Sequence, residues 1–213
     1  MCGFIGFTGI IDRREDVIRK MAERIIHRGP NSGGFHYSGE NDNDSVTLGF
    51  RRLSIIDLSD GSQPMYNEDG SVVIVFNGEI YNFMDLRDEL IAKGHIFKTH
   101  CDTEVIIHGY EEWGKKIAEK LRGMFAFVIW DKKTNVLYGA RDPFGIKPFY
   151  YTKVKSGLIF GSEIKSFLEH PDFDKRLNPR SLRPYLTFQY SSEDETFFEG
   201  VYKLTPAHWL FWK

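Results

Sequence analysis

The sequence predicts an α+β fold in which antiparallel sheets form much of the core. Short apolar segments recur along the 213-residue chain, and two pairs of them are separated only by polar turn residues, as in hairpins. Helical periodicities lie between these segments without a regular strand–helix alternation, which favours antiparallel sheets over a parallel βαβ repeat. No internal repeat or long linker stands out, so we expect a single domain over residues 1–213.

The elements are predicted in chain order from apolar periodicity and turn residues. A strand at residues 2–8 precedes an amphipathic helix whose apolar residues between Val17 and Ile26 repeat at i, i+3 and i+4, and Gly29 and Pro30 end this helix. Turns at residues 132–135 and 155–157 join the two hairpins. Further strands are expected at residues 46–50, 72–76, 124–130, 136–140, 149–153 and 158–161, and further helices at residues 84–93, 103–113, 116–121 and 163–170.

Composition excludes several classes of protein. The 28 basic and 30 acidic residues give a net charge of −2, which argues against a nucleic-acid binder with a basic face. The longest apolar run, residues 124–130, is far shorter than the ~20 residues of a membrane span. With only two cysteines and no basic n-region at its start, the sequence predicts a cytoplasmic protein without a disulfide framework.

Cys2 is the most informative residue for chemistry. Removal of the initiator Met1 would make it the first residue, with a thiol and a free α-amine in one amino acid. A free thiol titrates near ~8.5 and an α-amine near ~7.7–8.0, so the amine can accept the thiol proton around neutral pH. The pattern predicts an N-terminal nucleophile, and the alternative is a cysteine buried as a small apolar residue.

The dipeptide Asn77-Gly78 in FNGEIYN offers a pair of hydrogen-bond donors. It follows the predicted strand at residues 72–76, so a side-chain amide and a neighbouring backbone N–H can point at one oxygen atom. Such donors typically contribute ~2.7–4 kcal/mol when they are aimed at a tetrahedral intermediate. The alternative is a two-residue hairpin turn, which Asn-Gly favours when the dipeptide is taken alone.

Two charged positions match the two ends of a free amino acid. Arg51 and Arg52 follow a predicted strand, and a guanidinium there can bind a carboxylate through two parallel hydrogen bonds. Asp102, in HCDTE, can hold an ammonium group. Taken separately, an arginine pair is usually solvated, and an aspartate at a helix start is often an N-cap or a first-turn acid.

The histidines of the chain do not follow a known metal-binding spacing. His95, His100 and His108 lie near Cys101, but their spacings match neither a zinc finger nor HExxH. The sequence therefore predicts no metal site.

Several short motifs occur in a fixed order along the chain, namely MCGFIGF, HRGP, FRRLSIID, QPMYNEDG, FNGEIYN and DTE, followed by LRGMFAFVIWD, ARDPFGIKPFYY and FGSEIKSF. Together they resemble the glutaminase domain of glutamine-dependent asparagine synthetases over nearly the whole chain. The wider family is the class II, or N-terminal nucleophile, glutamine amidotransferases. This resemblance implies a four-layer αββα sandwich of two antiparallel sheets.

The resemblance also implies a role for each matching residue. Cys2 would attack the side-chain amide of L-glutamine with its own α-amine as the base, and Asn77 and Gly78 would stabilise the oxyanion. Arg52 rather than Arg51 would bind the substrate carboxylate, and Glu79 and Asp102 would hold the substrate amine. The implied substrate-binding residues are Arg52, Leu53, Ser54, Ile55, Ile56, Asn77, Gly78, Glu79 and Asp102.

In the resembled family an ATP-dependent synthetase domain follows and carries an SGGxDS-type loop. Residues 1–213 contain no such loop, so we expect that partner domain, with its ATP and Mg²⁺, outside this sequence, and no cofactor for the glutaminase domain itself. Phe211 and Trp212 suggest association into a homodimer. Two other functions stay open: the same glutaminase module serving another amide-forming synthetase, and a non-catalytic glutamine-binding domain.

Overall fold

The computed structural model describes residues 2–39, 45–53, 61–190 and 194–213. Three short 3-10 helices, Ile26–Arg28, Gly114–Lys116 and Ile164–Glu169, accompany the main elements. In chain order these elements are β1 (Gly3–Thr8), α1 (Arg14–Arg24), β2 (Ser32–Ser38), β3 (Val46–Arg52), β4 (Met65–Tyr66), β5 (Val72–Ile80), α2 (Phe83–Ala92), α3 (Asp102–Trp113), α4 (Ile117–Lys120), β6 (Gly123–Asp131), β7 (Val136–Arg141), β8 (Tyr150–Val154), β9 (Gly157–Gly161), α5 (Pro179–Phe188), β10 (Val201–Lys203) and β11 (Trp209–Trp212).

The strands form two antiparallel sheets. One sheet has six strands in the order β10-β8-β9-β1-β3-β2, and the other has five in the order β11-β7-β6-β5-β4. The hairpins β6–β7 and β8–β9 confirm the two predicted from polar turn residues. β1 lies inside the first sheet between β9 and β3, so the chain start is held by pairing on both sides.

Three buried apolar clusters show that the molecule has four layers. The first cluster joins the five-stranded sheet to α2 and α3, and the third joins the six-stranded sheet to α1. The second lies between the sheets and contains Phe4, Phe50, Val73 and Val75, with Cys2 packed against it. This arrangement confirms the α+β, four-layer αββα sandwich. None of the helices in the described ranges is long and apolar enough to cross a membrane.

The alternative interpretation of Asn77-Gly78 as a hairpin turn is wrong. Both residues lie inside β5 and pair with Ala126 and Phe125 of β6. The two strands approach closely here, because a Cβ atom added to Gly78 would lie only 2.3 Å from the carbonyl oxygen of Met124. Glycine at this position therefore serves close strand approach, and β5 continues to Ile80.

Sequence reasoning missed the elements that depend on tertiary pairing. β2 begins with Ser-Gly-Gly and has little intrinsic strand propensity, yet it pairs with β3 along its whole length. The start of α5 carried a readable signal, because the Asn178 side chain accepts a hydrogen bond from the Arg180 N–H (3.1 Å) and Pro179 is the first helical residue. The predicted helix at residues 163–170 is the 3-10 helix Ile164–Glu169.

Candidate active site

Cys2 lies directly before β1 at one end of the layer between the sheets. Its side chain is partly buried, and its Sγ atom is 3.4 Å from the backbone nitrogen of Leu53, whose N–H donates to the sulfur. The carbonyl oxygen of Leu53 is 3.8 Å from the same sulfur. The residue after β3 therefore holds the thiol from two backbone groups.

Arg28 fixes the backbone of Cys2 from the other side. Arg28 Nε donates to the carbonyl oxygen of Cys2 (2.9 Å), and Arg28 Nη1 pairs with Glu163 (3.0 Å). Gly3 makes room for this contact, because a Cβ atom there would lie 2.9 Å from Arg28 Cδ. The motif HRGP contained this residue, but sequence reasoning gave Arg28 no role.

The two neighbouring arginines at the end of β3 point to opposite faces of the sheet. Successive strand residues alternate between faces, and Phe50 belongs to the cluster between the sheets. Arg52 therefore shares the inter-sheet face with Phe50, whereas Arg51 lies on the face covered by α1. Arg51 Nε donates to the carbonyl oxygen of Gly29 (3.1 Å) and so has a structural contact.

The guanidinium of Arg52 lies near the start of α3. Both Arg52 and Cys101 lie close to Gly61. A Cβ atom built on Gly61 would be 3.6 Å from Arg52 Nη2 and 4.0 Å from Cys101 Cβ. Cys101 immediately precedes Asp102, the first residue of α3. The fold therefore brings a cationic group and an anionic group from distant parts of the sequence to one end of the inter-sheet layer.

Asn77 presents a buried amide donor to the inter-sheet layer. Val73 and Val75 of β5 belong to the cluster between the sheets, so alternation places Asn77 on the same face, towards the sheet that carries Cys2. Asn77 is 2% exposed, and its Nδ2 atom has no hydrogen-bond partner among the residues that the structure describes. A buried amide without a partner is costly, so this donor is an unusual feature of the core.

The backbone N–H of Gly78 points to the free edge of β5. Phe76 exchanges two hydrogen bonds with the Gln63 side chain, at 2.6 and 3.1 Å, and the Ile80 N–H donates to Asp102 Oδ2 at 2.9 Å. Backbone groups of residues two apart in a strand point the same way, so the Gly78 N–H is directed between Gln63 and Asp102. The amide of Asn77 and the N–H of Gly78 thus occur together beside the end of the inter-sheet layer.

Asp102 combines a structural contact with a strongly altered acidity. Burial and, to a smaller extent, the nearby Glu79 carboxylate raise the pKa of its carboxyl group, the hydrogen bond from the Ile80 N–H opposes both effects, and the resulting pKa is about 6. Glu79 is exposed. Asp102 is a first-turn acid of α3, which agrees with one of the two interpretations of the sequence, and it directly follows Cys101 in the chain.

Glu104 holds the loop that precedes Asp102, and sequence reasoning gave it no separate role. Its carboxylate accepts hydrogen bonds from the N–H groups of Lys98 and Thr99, both at 2.7 Å. Burial alone would raise the pKa of Glu104, but these hydrogen bonds and the one from the Thr99 hydroxyl hold it below its usual value. Its position two residues after Asp102, in the motif DTE, was the only available signal.

Three predicted substrate-binding residues, Ser54, Ile55 and Ile56, lie outside the described residues. The remaining predicted site residues occupy four segments at one end of the sandwich. These residues are Cys2, Arg52, Leu53, Asn77, Gly78, Glu79 and Asp102.

Comparison with protein families gives a match over the whole chain. The family model described as "Glutamine amidotransferase domain" matches residues 1–213. This chain belongs to the class II glutamine amidotransferases. The match covers every segment that contributes to the site.

Relatives and solved structures agree with this membership. The amidotransferase domain is 45% identical over 212 residues to asparagine synthetase [glutamine-hydrolyzing] 1 of Bacillus subtilis, covering 97% of this chain and 33% of that protein. It is 42% identical over 187 residues to amidase chry2 of Gibberella zeae, covering 87% of this chain and 27% of that protein. The chain thus spans about a third of the length of the curated relatives it matches.

The fold has solved counterparts at low sequence identity. The structure of glutamine phosphoribosylpyrophosphate amidotransferase from B. subtilis, complexed with ADP and GMP, aligns with a TM-score of 0.66 at 19% identity. The alignment covers 84% of this chain and 46% of that chain. This likeness shows that the amidotransferase domain shares its fold with that enzyme.

The amidotransferase domain contains a second thiol near the site, at Cys101. Cys101 Sγ lies 3.0 Å from the Thr99 hydroxyl oxygen, and burial raises the pKa of the Cys101 thiol. A thiol with a raised pKa carries little thiolate at neutral pH and is a weak nucleophile. Cys101 is therefore expected to react slowly with electrophiles at neutral pH.

Proposed function

We propose that this domain hydrolyses L-glutamine to glutamate and ammonia, with Cys2 as the nucleophile after removal of Met1. The single observation that carries this proposal is that Cys2 packs against the layer between the sheets and that the buried, unpartnered amide of Asn77 is directed into the same layer. A thiol and a buried amide donor at the same layer are the groups that acyl transfer needs, because charge develops on the substrate oxygen beside the nucleophile.

Substrate recognition follows from the two charged groups near the start of α3. The Arg52 guanidinium is expected to bind the α-carboxylate of glutamine through two parallel hydrogen bonds. Asp102, assisted by Glu79, is expected to hold the α-ammonium group. With the amino-acid end fixed at Arg52 and Asp102, the side-chain amide of glutamine can extend towards Cys2.

The reaction proceeds through a covalent thioester. The α-amine of Cys2 takes the thiol proton, the sulfur bonds to the amide carbon, and the carbonyl electron pair moves onto the oxygen, where Asn77 Nδ2 and the Gly78 N–H donate to it. The intermediate then reforms the carbonyl and expels ammonia, which carries away the proton held by the amine. Water next attacks the thioester, giving glutamate and the free thiol.

The released ammonia is proposed to serve a synthetase that converts aspartate to asparagine. The support is the 45% identity to a B. subtilis protein named as a glutamine-hydrolysing asparagine synthetase. ATP and Mg²⁺ would be held outside residues 1–213, since an SGGxDS-type loop does not occur in them. We place the protein in the cytoplasm on its cysteine usage, and no step of glutamine hydrolysis here requires a cofactor.

The first test compares the two cysteines. With the N-terminus processed, Cys2→Ala is expected to reduce glutamate release by at least about 10⁴-fold, whereas Cys101→Ser should keep most of it. Intact mass spectrometry with 6-diazo-5-oxo-norleucine should give one adduct, which peptide mapping assigns to Cys2. Undiminished turnover in Cys2→Ala, or an adduct on Cys101 alone, would reject the mechanism. Glutamine binding without any glutamate production would favour a non-catalytic binding domain.

A second candidate function is the same glutaminase activity serving another acceptor. The 42% identity to a protein named amidase chry2 favours this candidate, because a similar domain then also occurs in a protein that is not named an asparagine synthetase. Glutamine hydrolysis would be the same in both cases. An acceptor screen with the full-length protein, using aspartate and other carboxylic acids with ATP, separates them by the amide product formed.

A further inference from the structure

A cluster of metal-ligating side chains lies in the outer helical layer, away from Cys2. His95 follows α2, and His108 and Glu111 lie on α3 one turn apart. Glu111 Oε2 is 2.9 Å from His108 Nδ1 and 3.8 Å from His95 Nδ1, and one ligand atom from each residue lies within 4.8 Å of the others. Zinc bond lengths of about 2.0–2.2 Å put neighbouring tetrahedral ligands about 3.3–3.6 Å apart, between the two measured distances.

A polar group of another residue also lies next to the outer atom of each of these three side chains. His108 Nε2 is 3.7 Å from Glu104 Oε1, and His95 Nε2 is 3.6 Å from Glu112 Oε2. The other oxygen of the Glu111 carboxylate accepts a hydrogen bond from Asn67 Nδ2 at 2.7 Å. In metal sites, a histidine ligand commonly donates its second N–H to a carboxylate, and ligating carboxylates are themselves hydrogen-bonded.

The buried Nε2 nitrogen of His108 bears on which of its two ring nitrogens carries a proton. His108 is 2% exposed, and its Nε2 atom has no hydrogen-bond partner within the described part of the chain. If a neutral His108 donates its Nδ1–H to Glu111, the Nε2 lone pair faces the Glu104 and Glu68 carboxylates, which is repulsive. When a metal ion binds Nδ1, the imidazole proton lies on Nε2 and points towards the Glu104 carboxylate, which removes this repulsion.

We propose that His95, His108 and Glu111 form a binding site for a divalent transition-metal ion such as Zn²⁺. Two imidazoles and one carboxylate are ligands that suit this class of ion, and water completes the coordination. The sequence-based prediction of no metal site considered only the spacing of His95, His100 and His108 along the chain. The fold instead joins two of these histidines with Glu111 and leaves His100 exposed.

The metal site shares a carboxylate with the loop that positions Asp102. Glu104 lies behind His108 and also accepts the N–H groups of Lys98 and Thr99, just before α3 begins. A bound ion would therefore stabilise this loop in its observed conformation. The assignment of the site does not depend on glutamine hydrolysis.

The experiment must separate this site from the thiols, because an N-terminal cysteine can chelate zinc through its sulfur and amine. We would strip the full chain of metal with a chelator and prepare a Cys2→Ala/Cys101→Ser background. Calorimetric titration with ZnCl₂ is expected to show one ion per chain in that background. Titration with CoCl₂ should give the visible bands of tetrahedral Co²⁺ without a thiolate charge-transfer band.

Three variants in the same background locate the ion. His95→Gln and Glu111→Gln, both at partly exposed positions, should each weaken Zn²⁺ binding by at least about tenfold. The matched control His100→Gln changes an exposed histidine five positions away and should bind as its parent does. Circular dichroism confirms that each variant is folded. Saturable Zn²⁺ binding that disappears with the thiols, or equal affinity in His95→Gln and His100→Gln, would overturn the proposal.

Discussion

The inter-sheet face and the helix-covered face of the same strands carry different kinds of polar residue. At the end of β3, Arg52 lies on the inter-sheet face near the start of α3, whereas Arg51 lies on the opposite face and binds the carbonyl oxygen of Gly29. The two residues are chemically identical and adjacent. Strand alternation therefore places one on the face where we propose that substrate binds and the other against a loop.

The two faces of the five-stranded sheet also differ, and the difference indicates where a site can form in a sandwich. The layer between the sheets is apolar along most of its length, and the donor of Asn77 enters it only near the end of β5. At that end the amide is buried enough to act strongly on a bound group, and of the next two residues of the strand, Gly78 is partly exposed and Glu79 is exposed.

The largest effect after loss of Cys2 is expected from Asn77. Asn77→Asp has nearly the same shape but places a negative charge where the oxyanion develops, so kcat for glutamine hydrolysis should fall by about 10²–10³-fold or more. KM should change little, because the amide stabilises the transition state more than the bound substrate. Steady-state glutamate release measures both constants.

Asn77→Ala provides the control for charge. It removes the donor without adding a carboxylate, so it should lose less activity than Asn77→Asp while unfolding at a similar temperature. If Asn77→Ala retained the full kcat, the buried amide would have only a structural role. In that case the contrast between the two faces would rest on the arginines alone.

The arginine pair tests the same contrast through substrate binding. Arg52→Lys keeps the positive charge but loses the two parallel hydrogen bonds, so KM for glutamine should rise by about 10–100-fold. Arg51→Lys is the matched control, and its KM should stay within about twofold, because hydrogen bonding to Gly29 supports the loop rather than the substrate. Equal increases in KM would show that alternation does not separate the two roles.

Local sequence signals predicted the inner strands well because those strands are continuous apolar runs. β6 and β7 are examples, and the polar residues between them correctly indicated a hairpin. β2 could not be predicted in this way, since Ser-Gly-Gly becomes a strand only when β3 is beside it. The four-layer order came from the family resemblance rather than from periodicity.

The candidate site was predictable in its residue types but not in its geometry. Cys2 and Asp102 carried recognisable chemistry, but 100 positions separate them in the sequence, and only the fold brings their segments to one end of the sandwich. For Asn77-Gly78 the local signal pointed to a turn, because the dipeptide cannot reveal that β6 covers one edge of β5. Arg28 was missed for the same reason: its partner is the backbone of Cys2, and backbone contacts leave no pattern in side-chain chemistry.

The smallest expected effect, and the one that best tests electrostatics at the site, concerns Asp102. The raised pKa of about 6 means that the carboxylate needed for the substrate ammonium is lost as the pH falls through 6. For the wild type, kcat/KM should therefore decline below about pH 6, approaching tenfold per pH unit. Asp102→Asn should raise KM by about tenfold at pH 7.5 and lose this acidic limb.

Protein stability provides the independent readout for the same variant. The asparagine oxygen can still accept the hydrogen bond from the Ile80 N–H, so the fold should be retained. Because the pKa of Asp102 is higher in the folded than in the unfolded chain, its ionisation lowers the free energy of unfolding as the pH rises through 4 to 6. Asparagine does not ionise, so urea unfolding should show Asp102→Asn gaining stability relative to the wild type between pH 4 and pH 7.5. A constant difference across this range would mean that the carboxylate is not held in a desolvated position, and the acidic limb of kcat/KM would then have to come from another group.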